Sequence, residues 1–226
     1  MRTPSRKESF LQFPTSWLLG TPGSVRVLRE LMGRGDALAV SGLARQTGLN
    51  AQTVRNTLAD LARCGVVEAL GQGRSRLYRA DVAHPLYLPL ATLYQSETER
   101  ADLVLAAVAD AAGHVTPRPL GAWVYGAAAR GEDAPESAIE VALVAADEQV
   151  EVAVTRFRAI LGPVEQVQRV TFSVAGLAPS DVRRMAAGDP WWDGATDGAI
   201  PVFGESPDEL AASLAPRDRS RPTFQR

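Results

Sequence analysis

Residues 41–79 read SGLARQTGLNAQTVRNTLADLARCGVVEALGQGRSRLYR, and the order of apolar, glycine and basic positions in this stretch decides the fold of the front of the chain. Ser41 stands where it can cap a short helix with Leu43 and Ala44 on its apolar face, and Gly48 with Leu49 supplies the turn that ends it. Asn50 then caps a second helix. Within it Val54, Leu58 and Leu61 recur at i, i+4 and i+7, so they face inward and leave Gln52, Thr53, Arg55, Asn56 and Arg63 pointing outward. Cys64 and Gly65 close that helix. Residues 66–70 and 77–79 are strand-like runs around GQGRS, whose two glycines accept positive φ, which predicts a hairpin with Arg74 and Arg76 near its tip.

Upstream, Thr21 is placed to cap and Pro22 to open a helix in which Val25, Leu28, Leu31 and Met32 repeat at helical spacing before Gly33 and Gly35 stop it. Residues 37–40 suit a small strand. Downstream of Pro85, an apolar stripe through Leu86, Leu90, Leu93, Tyr94, Ala101 and Val108 predicts a long linker helix, bent near 95–97 and stopped at Gly113. After Pro119 the texture alternates: strands at 122–125, 139–145, 167–174 and 199–203, helices at 147–161, 179–187 and 208–214. The chain is therefore expected to be α+β, with boundaries at 1–15 (flexible N-terminus), 16–82, 83–113 (linker helix), 114–215 and 216–226 (a polar, basic tail with too little apolar area to fold).

A length of 226 residues with 46% hydrophobic composition accommodates two modest cores. One cysteine, Cys64, forms no internal disulfide, and with only His84 and His114 beside it no zinc cluster assembles; both histidines read as structural, and no metal or cofactor is expected. That usage fits a reducing, cytoplasmic setting. No apolar run approaches the ~20 residues of a membrane span, and the basic N-terminus has no apolar core of ~7–15 residues behind it, so neither a membrane nor a secretory leader is expected. The net charge of −2 conceals a division. Residues 1–80 carry 12 Arg or Lys against 5 acids (+7), residues 81–216 carry 8 against 20 (−12), and the tail carries 4 against 1 (+3). A basic front on an acidic body suggests that one face meets a polyanion while the remainder repels it.

The helix, turn, helix and basic hairpin of residues 41–79 resemble the winged-helix domains of bacterial regulators of the ArsR and MarR kind, and the resemblance implies that 16–82 is a winged-helix DNA-binding domain. The resemblance implies that the second helix enters the major groove of double-stranded DNA, with Gln52, Thr53, Arg55 and Asn56 toward base edges. Their chemistry suits this: Arg forks onto guanine, and Gln or Asn pairs with adenine. Arg74 and Arg76 on the wing would meet phosphate or the minor groove. The recognition helix has one Arg in its first two turns, so DNA shape or a second subunit is expected to share the readout.

Residues 126–141, GAAARGEDAPESAIEV, resemble the signature loop and strand of the minimal nucleotidyltransferase family. In that family the loop holds triphosphate, and two acids at i and i+2 on one strand face hold the magnesium ions of phosphoryl transfer. Here Gly126 and Ala127 stand where Gly-Ser is expected, and Ala138 and Glu140 where the acids belong. Ala138 offers no oxygen ligand, so the resemblance implies a degenerate, catalytically inactive domain with a vestigial nucleotide cleft at Gly126, Ala127, Arg130 and Glu140. Arg130 and Gly131 read as structural, and Trp191 and Trp192 as core or interface aromatics in preference to a base-stacking platform. Three roles stay open for this domain: a dimerisation or scaffold body, a sensor of a small-molecule effector, or an enzyme using other acids.

These readings combine into a sequence-specific DNA-binding transcriptional regulator, a repressor by occlusion, working as a homodimer on paired half-sites. The stripe from Leu86 to Val108 serves either self-pairing or packing on its own domains. The alternative is an active nucleotidyltransferase modifying a nucleotide, RNA or protein, with the winged helix as targeting module. A third is a protein–protein adaptor.

Overall fold

The structure, a computed structural model, describes residues 11, 14–73 and 76–215. It divides into two compact units between Glu99 and Arg100, inside one long helix, and each is taken by itself.

The first unit opens with α1 (Thr15–Leu18), a single turn that the sequence does not announce. In α2 (Pro22–Arg34) the Thr21 hydroxyl accepts the Ser24 N–H at 3.0 Å, and the helix passes through Gly33 to end on Gly35 at φ 69°. Then come β1 (Leu38–Ala39), α3 (Val40–Thr47), α4 (Ala51–Arg63), β2 (Val67–Leu70), β3 (Leu77–Ala80) and the first part of α5 (Tyr87–His114). The expected cap at Ser41 is displaced. Pairing of β1 with β3 holds Ala39 extended, so α3 starts at Val40 and Ser41 lies inside its first turn. The strands run β1-β3-β2, all antiparallel, with Val67 opposite Ala80 and Leu70 opposite Leu77.

Val54, Leu58 and Leu61 are buried with Val27, Leu28 and Leu31 of α2 and Leu43 of α3, while Leu90 and Tyr94 of α5 close the same core. Each such side chain contributes roughly 1.5–3 kcal/mol relative to exposure, which is why α4 keeps one face inward. Helix α5 runs without a break through 95–97.

The second unit takes the remainder of α5, then β4 (Gly121–Tyr125), α6 (Gly126–Arg130), β5 (Ile139–Val144), a 3-10 turn at Asp147–Gln149, α7 (Val150–Gln168), β6 (Phe172–Leu177), α8 (Pro179–Met185), α9 (Pro190–Thr196), β7 (Ile200–Gly204) and α10 (Pro207–Leu214). The sheet order is β6-β5-β4-β7, with β5 parallel to β6 through the α7 crossover and the other pairs antiparallel. One face packs Ala122, Val124, Val141 and Leu143 against α5 and α7. The other packs Trp123, Ala142 and Val144 with Val182, Met185, Trp192 and Leu210. A sheet covered on both faces needs continuous apolar strands, and all five residues of β4 are buried.

Several boundaries depart from the sequence reading. The helix expected at 147–161 starts at Val150 and continues past Gly162 and Pro163 to Gln168, because Ala153, Phe157 and Leu161 are buried along it and offset the one hydrogen bond the proline forgoes. Arg169, at φ 54°, turns the chain, so β6 begins at Phe172 and not at 167. Residues 126–130 are a short helix where a loop is expected, and α9 forms in a segment expected only to supply aromatics.

Candidate nucleic-acid interface

Asn50 fixes the start of α4: its side-chain oxygen accepts the Thr53 N–H at 2.8 Å. One turn on, Arg55 Nη1 donates to Gln52 Oε1 at 3.2 Å and Gln52 Nε2 donates to Asn56 Oδ1 at 2.9 Å. All three side chains are exposed. They form a hydrogen-bonded row that holds one guanidinium and two amides together on the outward face. Thr53 does not join them: it is half-buried, and its methyl lies 3.8 Å from where a β-carbon on Gly23 would stand, so it faces α2 instead of solvent. Arg63, at the far end, is ion-paired with Asp60.

Across from this row the wing returns. Arg55 and Arg76 both line a hollow of about 420 Å³ whose other walls include Ser41, Ala51, Gly73 and Tyr78. Arg76 and the hydroxyls of Ser41 and Tyr78 around one hollow suit the oxygens of a phosphate, to which arginine donates in pairs. Arg74 lies outside the described residues. Arg79, by contrast, is held by Glu68 across the β2–β3 pair and its charge is spent there. The sequence reading missed Ser41 and Tyr78 as parts of this hollow. Ser41 has a signal, its position at the start of the first helix, but that signal reads as a cap.

Behind the interface, α5 is fastened to α2. Arg29 donates to Glu97 at 2.7 and 3.2 Å and lies 5.6 Å above the Tyr94 ring. The Tyr94 hydroxyl is buried with no hydrogen-bond partner among the described residues, and burial pushes its pKa up to about 12. No helix among the described residues is long and apolar enough to cross a membrane.

In the second unit Gly126, Ala127, Arg130 and Glu140, the residues expected to form a vestigial cleft, lie at the junction of β4, α6 and β5. Tyr125 pairs across the sheet with Glu140, and Gly126, at φ 70°, is so close that a β-carbon there would stand 1.8 Å from Glu140 Oε2. Ala127 follows on α6, half-buried. Arg130 ends that helix, donating to Glu132 at 2.9 Å; this bond is the chief reason its pKa is raised, and the charges of Glu132, Asp197 and Glu140 add to it. Ala138 falls just before β5, not on it. Among the described residues no group of three or more His, Cys, Asp or Glu could hold a metal ion. Trp192 is buried edge-on against Trp123 at 5.9 Å, whose indole N–H donates to the Ala195 carbonyl, whereas Trp191 meets Tyr125 at 5.5 Å and is partly exposed. His84 Nδ1 accepts the Leu86 N–H, and His114 sits at the end of α5 beside Asp110.

A three-helix body with a basic hairpin wing, followed by a mixed sheet between helices, is the class that the geometry defines. No protein-family model matches the chain, and no curated protein matches it. Among solved structures it is similar to the AntR antimony-specific transcriptional repressor, 24% identical over 46% of this chain and 90% of that one, with a TM-score of 0.36. It is also similar to the homodimeric winged helix-turn-helix DNA-binding domain of a possible ArsR-family transcriptional regulator from Mycobacterium bovis, 26% identical over 45% of this chain and 91% of that one, with a TM-score of 0.31.

Proposed function

We propose that the chain is a sequence-specific DNA-binding transcriptional regulator, acting as a repressor by covering its site, with α4 in the major groove. The observation that carries this is the exposed row of Gln52, Arg55 and Asn56 facing the same side as a hollow shared by Arg55 and Arg76. Arg55 reads guanine through two donors, Gln52 and Asn56 read adenine, and the hydrogen bonds among them reduce the rotamer freedom lost on docking. Arg76 neutralises a backbone phosphate beside the groove. The second unit is a catalytically inactive, nucleotidyltransferase-like body that dimerises the chain or senses an effector; the alanine at 138 and the packing of Glu140 onto Gly126 support inactivity.

The test is retention of duplex DNA recovered from a genomic pool. Retention is expected to fall with salt, and Arg55→Ala or Asn56→Ala to weaken the selected site by about 1–3 kcal/mol while relaxing its sequence preference. Loss of affinity equal on all sequences would assign these residues to the backbone, and no retention of any duplex would overturn the proposal. The rival enzyme draws on the meeting of Gly126, Arg130 and Glu140, and it requires magnesium-dependent consumption of labelled nucleotide.

A further inference from the structure

We infer that the row of Gln52, Arg55 and Asn56 has one fixed hydrogen-bond polarity, imposed by Arg55. It turns a donor toward the base beside the guanine, which excludes cytosine there and does not single out adenine. This base assignment deepens the DNA-binding reading and rests on it, whereas the polarity itself does not.

The three residues stand at i, i+3 and i+4 on the exposed face of α4, a spacing at which side chains meet. A primary amide fits such a row either way round, because a half-turn exchanges its oxygen and nitrogen and the neighbours decide between the two. A guanidinium has five N–H donors and no acceptor, so the end of Gln52 that meets Arg55 must be its oxygen. That is the bond observed, from Arg55 Nη1 to Gln52 Oε1 at 3.2 Å. The other end of the same amide is then a donor, and Gln52 Nε2 reaches Asn56 Oδ1 at 2.9 Å. With its oxygen turned into the row, Asn56 leaves Nδ2 outside it, and this nitrogen has no partner among the described residues.

In the major groove cytosine presents only its N4 amino donor, whereas guanine and adenine present N7 and thymine O4 as acceptors. A free amide selects adenine by setting oxygen on N6 and nitrogen on N7 together. Here the oxygen is engaged, so adenine is met through N7 alone, and guanine offers the same atom. Gln52 is therefore a positioning residue, whose two ends carry the polarity of Arg55 to Asn56. Gln52→Glu should reverse the outer end of the row. A carboxylate only accepts, so it still receives Arg55 but now offers Asn56 an acceptor as well. The Asn56 amide turns over, and its oxygen faces the base, where it accepts from adenine N6 or cytosine N4.

The test is selection of duplexes from a random pool by the full chain and by Gln52→Glu, followed at the base position whose preference Asn56→Ala flattens. For the parent, guanine and adenine there should bind within about threefold of each other and cytosine about tenfold more weakly. For Gln52→Glu, cytosine should rise to the level of guanine or above it. The added charge repels phosphate on every duplex alike, so the ratio between bases at one position carries the result. Circular dichroism checks that each variant is folded. A parent that prefers adenine to guanine about tenfold, one base order in both proteins, or no position flattened by Asn56→Ala overturns the base assignment. In the free protein, nuclear magnetic resonance of the side-chain amides reads the polarity directly. An Asn56 amide proton should move downfield in Gln52→Glu, where it becomes hydrogen-bonded, and unmoved protons overturn the polarity. If the parent retains no duplex, the DNA-binding reading falls and the base assignment with it, while the amide spectra still decide the polarity.

Discussion

Tyr94 is the residue at which local chemistry and stability are most directly linked. Its ring is 4% exposed and packs under Arg29, but its hydroxyl is buried without a partner among the described residues, a condition that costs roughly 1–3 kcal/mol for such a group. Tyr94→Phe keeps the ring and the cation above it while deleting the orphaned oxygen, so the variant is expected to be about 1 kcal/mol or more stable than the parent in urea unfolding. A less stable variant would mean that the oxygen is satisfied. The same residue sets an alkaline signature. Burial raises the folded pKa from 10.0 to about 12, so in the unfolded chain the phenol loses its proton first. Its contribution is complete below pH 10 and is lost as pH rises toward 12, through the linkage of proton binding to folding. The decline in stability as pH rises from 10.0 toward about 12 should therefore be shallower in Tyr94→Phe than in the parent, and parallel curves would exclude this assignment.

At the scale of elements, the joint of β4, α6 and β5 depends on one glycine. A side chain at Gly126 is strained by φ 70°, and its β-carbon would stand 1.8 Å from Glu140 Oε2, the end of a flexible side chain that must swing aside, so Gly126→Ala is expected to destabilise by about 1–2 kcal/mol. Adding Glu140→Ala removes the clash but not the strained φ. The double variant should thus recover part of the loss, and strict additivity would show that the carboxylate is not what presses on Gly126. Legibility from sequence ends at this kind of contact. The caps at Thr21 and Asn50, the inward spacing of Val54, Leu58 and Leu61 and the hairpin are local rules, and each is visible in the residues themselves. Where burial outweighs a local rule, the reading slips: α7 crosses Pro163 because its apolar face is covered, and α3 starts before Ser41 because β1 pairs with β3. The site divides the same way. Gln52, Arg55 and Asn56 are legible from type and spacing, but the turning of Thr53 toward Gly23 depends on α2, and the hollow exists only because β3 carries Arg76 and Tyr78 back beside Arg55.

For the whole molecule the uneven charge has a measurable consequence. Residues 1–80 carry +7, residues 81–216 carry −12 and the tail carries +3, so the chain as a whole, at −2, has no general attraction for a polyanion, and duplex binding is expected to run through its basic front. Duplex affinity is then expected to depend on few phosphate contacts, each adding about 0.9 to the slope of log affinity against log salt. That makes the slope a counter of half-sites. If Arg76 holds one phosphate in the hollow beside Arg55, Arg76→Ala lowers the slope by about one for a single copy on DNA and by about two for a dimer on paired half-sites, spaced about 34 Å apart along the duplex. Sedimentation of the free protein and of its complex supplies the mass independently. A slope change near two with twice the chain mass on DNA supports the dimeric regulator. A change near one with a single chain bound means that one recognition helix suffices and that the long α5 has no partner copy in the complex. An unchanged slope would remove Arg76 from the phosphate contacts altogether and leave Arg55 with the base edges alone.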